Sequence, residues 1–274
     1  MITILGSPAV ASAHWPDLID ELDRWRAEGR IATLWWRDDD AIAPSQRLDN
    51  LLAVASGVPV ALAVIPALVE SGLADWVERY APSSVRILQH GWHHADHGTA
   101  GKKSEFPSSR SPDAASADLA AGRIRLTALF GTRALAVLAP PWNRFAEAFL
   151  PLLTEADITA ISRITPRRSA YPAPGVFEAN VHVDLVAWRG DRGFVGQTTA
   201  LGQLVGHLRA RRCGNADAGE PTGILTHHLV QDEATGAFLG QLVKVLGHHP
   251  AAKWLDVEEV FAPAVGGMAH RERV

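Results

Sequence analysis

Short apolar runs alternate with segments that have helical apolar spacing, and this alternation restricts the fold more than any other feature of the sequence. The apolar runs are typical of buried strands, which we predict at 31–36, 58–65, 85–88, 134–138, 158–163, 181–188 and 223–226. The helical spacing predicts helices at 16–27, 67–80, 113–130, 147–156, 200–212 and 234–246. Strands that alternate with helices form parallel sheets, so the pattern predicts an α/β fold with a parallel sheet or barrel.

Length and composition are those of one domain. The chain has 274 residues, of which 47% are hydrophobic, and its net charge is −4. We expect one core over 1–274, with the motif-bearing part at about 31–262 and a frayed tail at 266–274. The charge balance argues against nucleic-acid or membrane binding. Cys213 is the only cysteine, so an internal disulfide is excluded and a reducing compartment fits.

The first residues carry a weak resemblance to an export signal. Residues 1–13 are small and apolar and end in Ala-Ser-Ala, but no basic residue precedes them, and Gly6 and Pro8 interrupt the apolar stretch. We therefore interpret them as mature protein. No run approaches the roughly 20 apolar residues of a membrane span. We expect a cytoplasmic protein whose substrate is a cytoplasmic sugar or amide.

Polar clusters follow four of the predicted strands. They lie at 38–40, 90–97, 140–144 and 227–228, far apart in the sequence. In parallel barrels the chemistry lies at the carboxyl ends of the strands. We therefore expect the four clusters to meet at one rim of the barrel.

Three adjacent aspartates, Asp38, Asp39 and Asp40, end the first predicted strand. Neighbouring carboxylates repel one another unless a cation or a proton is shared among them. Adjacent residues of a strand point to opposite faces, so the three cannot all serve one site equally. A solvated turn with a helix-capping aspartate is the alternative.

Four histidines lie within 90–97. His90 and His94 are four residues apart, so on a helix they would share one face and could chelate one ion. With a carboxylate from the aspartates they would form a two-histidine, one-carboxylate site that has open positions. His93 and His97 have the same spacing and are the competing pair. A loop whose histidines only form hydrogen bonds is the other alternative.

His227 ends the last predicted strand and is a candidate general acid, because imidazole titrates near neutral pH. A capping or core histidine is the alternative. The loop at 101–106 follows the histidine cluster and is a candidate lid or substrate contact, or simply a solvated loop. Trp92 and Trp142 flank the clusters, where they would stack on sugar rings or wall the barrel mouth.

The order of these motifs resembles the polysaccharide deacetylase family, also called carbohydrate esterase family 4 or the NodB-homology domain. Arg-Asp-Asp-Asp-Ala at 37–41 is similar to the family's Thr-Phe-Asp-Asp-Gly, and 90–94 matches its His-x-x-x-His. Ala-Pro-Pro-Trp-Asn at 139–143 is similar to Arg-Pro-Pro-Tyr-Gly, and Leu-Thr-His at 225–227 matches Leu-x-His. The resemblance covers roughly residues 31–230, and its strength lies in the order of the motifs.

This resemblance implies a distorted (β/α) barrel, usually of seven strands, and a divalent metal, often zinc. It implies that Asp40, His90 and His94 bind the metal, that Asp39 is the base and that His227 is the acid. The other register of the first motif makes Asp38 the base and Asp39 the ligand.

Two family positions differ. Ala139 replaces the arginine that in the family braces the base, and Arg37 or Arg144 is a candidate replacement. The family's fourth motif, an aspartate and a tryptophan that pack around the acid, has Asp184 with Trp188 as candidates and Asp232 as another. The expected substrate contacts are Trp92, Pro141, Trp142, Asn143, Arg144 and Trp188, with Arg37, Asp38 and Asp184 in support.

The function implied is metal-dependent removal of an N-acetyl or similar acyl group from an amino sugar or saccharide. The expected partner is therefore a small molecule or an oligosaccharide. One alternative is another carbon–nitrogen hydrolase acting on a formyl, ureido or cyclic amide group. A saccharide-binding barrel with impaired catalysis is the second, and it rests on the missing arginine.

Overall fold

The computed structural model describes residues 12–99 and 101–269, and within them the strands form one sheet in which neighbouring strands run parallel. The order across the sheet is β6-β5-β4-β3-β2-β1-β8-β7, with β9 beside β1. The strands are β1 (Ala32–Ala41), β2 (Val60–Val64), β3 (Val85–Gln89), β4 (Ala134–Leu138), β5 (Ala160–Ile161), β6 (Phe177–Glu178), β7 (Val183–Asp184), β8 (Thr222–Thr226) and β9 (Ala252–Trp254).

Helices surround this sheet and complete a distorted (β/α) barrel, as predicted. They are α1 (Trp15–Ala27), α2 (Gln46–Ala55), α3 (Gly72–Val77), α4 (Pro112–Phe130), α5 (Leu150–Glu155), α6 (Gln197–Arg212), α7 (Glu233–His248) and α8 (Val257–Ala269). The strand count differs from the expected seven, because eight strands lie along the sheet and β9 adds to its side. β5, β6 and β7 are only two residues long, which makes this part of the barrel irregular.

The alternation of β1 separates the two sides of the sheet. Trp35 packs in an interior cluster with Ala61 and Leu88, whereas Leu34 and Trp36 pack in the larger cluster that includes the helices. Side chains of a strand alternate between faces, so the side that holds Trp35 faces the barrel interior. This periodicity decides where the polar residues at the end of β1 go.

Several predicted elements differ in extent. β1 continues through the aspartates to Ala41, because its pairing with β2 and β8 continues past the apolar run. The helix predicted at 67–80 is a 3-10 turn followed by the short α3, and the strand predicted at 181–188 is reduced to β7. Apolar spacing alone did not reveal α2, whose N-cap is Ser45.

The ends of the chain are only partly described. Residues 1–11, which contain most of the segment interpreted as mature protein, lie outside the described residues, as do 270–274. Helix α8 continues to Ala269, into the segment that was predicted to fray. Within the described residues, no helix is long and apolar enough to span a membrane.

Candidate metal centre

Three side chains that were predicted as metal ligands meet at the carboxyl ends of β1 and β3. Asp40, His90 and His94 each offer one ligand atom, and these atoms lie within 4.8 Å of one another. Asp40 Oδ1 is 3.1 Å from His90 Nε2 and 3.4 Å from His94 Nε2. Two ligands with bonds of about 2.1 Å to one ion, at octahedral or tetrahedral angles, are separated by about 3.0–3.4 Å. The spacing therefore fits one transition-metal ion.

The backbone of Asp40 explains how this carboxylate reaches the histidines. The register of β1 against β2 shifts between Asp38 and Ala41, and Asp40 has a φ of 72°. A left-handed conformation is rare for a residue with a side chain and interrupts the alternation of a strand. Asp40 thus leaves the alternating pattern that separates Asp38 from Asp39.

The segment between His90 and His94 is a turn and not a helix, so the four-residue spacing does not place the two side chains on one helix face. Gly91 and His94 have positive φ angles of 64° and 56°. The buried Glu105 carboxylate accepts hydrogen bonds from the backbone N–H of Trp92 at 3.1 Å and of His93 at 2.8 Å. The turn that brings the two histidines together is thus folded around a buried carboxylate, which no sequence pattern indicated.

The hydrogen bond of His90 Nδ1 leaves Nε2 of the same ring free to bind a metal ion. Its Nδ1 lies 2.8 Å from the carbonyl oxygen of Ala139, which can only accept, so Nδ1 carries the proton. In the neutral ring, Nε2 then presents a lone pair to the buried Asp40 Oδ1, and within 12–99 and 101–269 only a protonated His90 could donate a hydrogen bond to that oxygen. Two facing lone pairs repel one another unless a proton or a metal ion lies between them. This is the arrangement in which a second hydrogen bond orients a metal-binding histidine.

Charge within the group supports a bound cation. Burial raises the pKa of the Asp40 carboxyl, but the hydrogen bond and charge of His90 outweigh burial and hold that pKa well below its usual range. Burial lowers the pKa of His90, but the charges of Asp39 and Asp40 outweigh it and raise that pKa. Burial and the neighbouring His90 lower the pKa of His94. The site thus keeps an anionic carboxylate and attracts one positive charge.

Asp39 lies beside this group and is held by Arg37. Both are essentially buried, and Arg37 Nε and Nη2 donate to the two carboxylate oxygens at 2.8 and 3.0 Å. Arg37 also donates to the carbonyl and hydroxyl of Ser162 at 2.8 Å and to Asn143 Oδ1.

Arg144, the other candidate to brace the base, donates to the carbonyl of Lys103 and not to Asp39. Arg37 therefore provides a brace for Asp39 where Ala139 cannot.

His227 faces Asp39 from the end of β8. Its Nε2 lies 4.0 Å from Asp39 Oδ2, and the edge of the Trp188 ring packs against it with 4.7 Å between centroids. Trp188 Nε1 donates to Asp184 at 2.8 Å, and burial raises the pKa of that carboxyl. Asp232 instead caps α7. Of the candidates for the fourth motif, Asp184 and Trp188 are therefore the pair that lies beside His227.

Asp38 belongs to the other side of β1. Its Oδ2 accepts from the Thr226 hydroxyl at 2.6 Å and from the His228 N–H at 2.9 Å, and its Oδ1 contacts His228 Nδ1. These partners occupy both carboxylate oxygens. The geometry thus disfavours the register in which Asp38 acts as base and Asp39 as ligand.

Other residues that were predicted for the site differ in how close they lie to the three possible metal ligands. Trp142, with a φ of 55°, packs its ring 4.3 Å from that of His94, and Pro141 is buried beneath the turn. His93 and His97 do not join the ligand group. The loop at 101–106 buries Ser104, Glu105 and Phe106, so its carboxyl half supports the histidine turn, while Lys102 and Lys103 stay exposed.

A second group of possible metal ligands lies near the amino ends of β7 and β8, whereas the first group lies at carboxyl ends of strands. It consists of His182, His207 and Glu220. Here the hydrogen bonding opposes a metal. His182 Nδ1 accepts from the N–H of Gly223 at 3.0 Å, so in the neutral ring Nε2 carries the proton. That proton faces Glu220 Oε2 at 3.4 Å. The two imidazoles are stacked with 3.4 Å between centroids, so their lone pairs do not converge on one point.

No family model matches the sequence, and no curated protein matches it either. Solved structures do match. One is a Mycobacterium smegmatis protein that is provisionally described as a polysaccharide deacetylase, with 15% identity, coverage of 97% of this chain and 96% of that one, and a TM-score of 0.62.

Two other matches belong to carbohydrate esterase family 4. A Clostridium thermocellum acetyl xylan esterase, solved with a cobalt ion, is 16% identical over 84% of this chain and 91% of that one, with a TM-score of 0.51. A mutant of a family pseudoenzyme with restored enzymatic activity is 13% identical over 84% of this chain and 67% of that one, with a TM-score of 0.54. At these identities the likeness establishes a shared fold.

Proposed function

We propose that the chain is a divergent polysaccharide deacetylase, a metal-dependent hydrolase that removes an N-acetyl or similar small acyl group from an amino sugar or saccharide. The observation that carries the proposal is the convergence of Asp40, His90 and His94, with Asp39 next to Asp40 on β1 and His227 Nε2 4.0 Å from Asp39. The shared fold supports the proposal, because solved structures with this fold include carbohydrate esterases and deacetylases.

The donor set fits a divalent transition metal. Two imidazole nitrogens and one carboxylate oxygen suit zinc, cobalt, nickel or iron and leave coordination positions for water and substrate. Two features favour the ion: the His90 tautomer, and the buried Asp40 Oδ1, which lacks a neutral hydrogen-bond donor in the part of the chain that the structure describes. We propose zinc as the ion. When bound, such an ion polarises an acyl carbonyl and lowers the pKa of water.

The protein residues supply the proton transfers. Asp39, fixed by Arg37, accepts a proton from the water that attacks the amide carbonyl. His227, whose Nε2 lies 4.0 Å from Asp39, donates a proton to the nitrogen as the carbon–nitrogen bond breaks. The products are a carboxylic acid and a free amine, and no other reactant is consumed. Arg37 also orients Asn143, which places a polar amide at the edge of the site.

A cavity of about 560 Å³ extends from Asn143 and offers space for the rest of a saccharide. Its walls are polar and include Glu147, Arg163, Arg168 and Ser169. Pockets of this size with a few polar groups are typical of small-molecule sites. Trp142 and Trp188 border the centre on two sides and provide apolar faces for a sugar ring.

The test is acyl release from defined substrates. Protein loaded with zinc or cobalt is incubated with N-acetylhexosamine oligomers, and acetate and free amine are measured together. We expect equal amounts of both products and expect none from the Asp39→Asn variant. An N-formyl analogue separates deacetylation from another carbon–nitrogen hydrolysis. Binding of the oligomers without any product from loaded protein would overturn the proposal and indicate a saccharide-binding barrel.

A further inference from the structure

Asp38 and His228 are not used by the proposed reaction, although both are buried beside it. The three hydrogen bonds of the Asp38 carboxylate all go to Thr226 and His228, the residues on either side of His227. Trp36 Nε1 donates to the same Thr226 hydroxyl at 2.9 Å. The connection therefore runs from β1 to the segment that carries the proposed acid.

The hydrogen bonds of Asp38 lie where the backbone pairing between β1 and β8 ends. The last paired residues between β1 and β8 are Asp38 and Thr226, so His227 and His228 lie beyond the ladder. The His228 N–H bonds to the Asp38 side chain instead of to a strand carbonyl. Asp38 thus extends the attachment of β8 to β1 past the last rung of the sheet.

The side chain of His227 has little to hold it in place. Among the described residues its buried Nδ1 has no hydrogen-bond partner, and its Nε2 is 4.0 Å from Asp39. Its ring is confined by the edge of Trp188. The position of the imidazole is therefore set mainly by the backbone of 226–228, and that backbone is fixed through Asp38.

We propose that Asp38 and His228 form a clamp that sets the position of His227 relative to Asp39, so that both are positioning residues for proton donation to the leaving amine. This inference rests on the proposed function. Asp38 and Asp39 are adjacent on one strand, so the clamp and the base are built on the same rigid element. A shift of the acid by about 1 Å is enough to cost about 100-fold in rate.

The experiment compares a poor and a good leaving group. An N-acetyl amide needs a proton donor, whereas an aryl acetate expels a stable phenolate without one. For His228→Ala, we expect kcat on the amide to fall by about 100-fold, at the low end of the range for a lost general acid, and kcat on the aryl acetate to change by less than about 3-fold. Affinity for cobalt, measured by calorimetry, stays at the wild-type value.

A conservative variant tests whether the hydrogen bond itself is responsible. The amide nitrogen of asparagine can occupy the place of a histidine Nδ1, so His228→Asn should recover most of the amide activity that His228→Ala loses. The exposed His248→Ala is the matched histidine control and should retain wild-type kinetics on both substrates.

Three results would overturn the proposed role of Asp38 and His228. Equal losses on both substrates, or a loss of cobalt affinity, would show that His228 supports the fold and would overturn the clamp while leaving the proposed function intact. Unchanged amide turnover in His228→Ala would also overturn it. If the wild-type protein releases no acyl group from either substrate, the proposed function fails and the clamp fails with it.

Discussion

Replacement of Arg37 by methionine should destabilise the protein strongly, because it leaves a buried carboxylate without its counter-charge. Arg37 has no exposed side-chain surface and donates five hydrogen bonds, two of them to Asp39, whose side chain is 2% exposed. His227 Nε2 lies 4.0 Å from that carboxylate, too far to replace the two hydrogen bonds that Arg37 donates. Removing one partner of a buried ion pair costs about 3–5 kcal/mol. That is a large part of the roughly 5–15 kcal/mol that stabilises a domain.

A double-mutant cycle measures the pair itself. Asp39→Asn leaves the Arg37 charge buried and unpaired, so it should cost a similar amount, whereas Arg37→Met/Asp39→Asn removes both charges. We expect the double variant to lose less free energy of unfolding than the two single variants lose together, with a difference of about 2–3 kcal/mol. Unfolding in urea with excess chelator, followed by tryptophan fluorescence, gives the free energies.

The exposed Arg79 provides the matched control. Its pair with Asp49 spans 3.6 Å between side chains that are 59% and 40% exposed, so Arg79→Met should cost less than about 1 kcal/mol. A cost below about 1 kcal/mol for Arg37→Met would refute the reasoning, as would strict additivity in the cycle. Either result would mean that Arg37 does not hold Asp39.

Three further outcomes follow from particular contacts. A Cβ at Gly91 would overlap the Glu105 carboxylate and lie 2.7 Å from Pro141 Cγ, so Gly91→Ala should weaken cobalt binding about tenfold or more. Gly57 also has a positive φ but lies in open space, so Gly57→Ala should keep wild-type affinity in the same calorimetric titration; equal affinities of the two variants would contradict the role of the turn. Arg37→Ala/Ala139→Arg moves the arginine to position 139, and its turnover should be at least tenfold higher than that of Arg37→Ala. Ala139→Arg alone should be inactive, because it adds a second cation to a fully buried site. Burial lowers the pKa of His182 to about 3 and of His207 to about 2, so below pH 6.5 the unfolded chain binds more protons than the folded one. The free energy of unfolding should then fall with acidification between about pH 6.5 and pH 3, by up to about 2.7 kcal/mol per pH unit from this pair, and urea titrations of His182→Asn/His207→Asn should show a shallower fall. Parallel pH profiles would contradict that assignment.

The barrel could be predicted from the sequence because its strands are apolar runs that alternate with helices. The meeting of the polar clusters followed from the rule that parallel strands present their carboxyl ends to one rim. The irregular part of the barrel could not be predicted in the same way. β5, β6 and β7 are two-residue pairings whose existence depends on contacts with neighbouring strands rather than on a local pattern.

The site was predicted as a set of residues but not as a geometry. Strand alternation explained why the three aspartates differ, yet the register depended on the positive φ of Asp40, which no sequence pattern indicated. The turn that joins His90 and His94 could not be predicted from their spacing, because i and i+4 residues share a face on a helix but can also be brought together by a turn. Glu105 and Ser162 were missed because a single buried polar residue looks like any surface residue in a sequence.

The replacement of the missing arginine could be predicted only as a choice between two residues. Ala139 raised the possibility of an impaired site, and Arg37 was one of two candidate replacements. In the structure, Arg37 contacts Asp39 from within the same strand, two residues away and on the same face. The period of two that defines a strand therefore places the base and its brace together.

The most direct test of the central claim is the number of divalent ions that each variant binds. The wild-type protein, Asp40→Ala and His90→Ala are titrated with cobalt by calorimetry, and metal content is measured after gel filtration. His182→Ala, from the second histidine group, serves as the control. We expect one ion per chain in the wild type and in His182→Ala, and none in Asp40→Ala or His90→Ala. Retention of the ion by both site variants, or its loss from His182→Ala, would contradict the assignment of the metal centre.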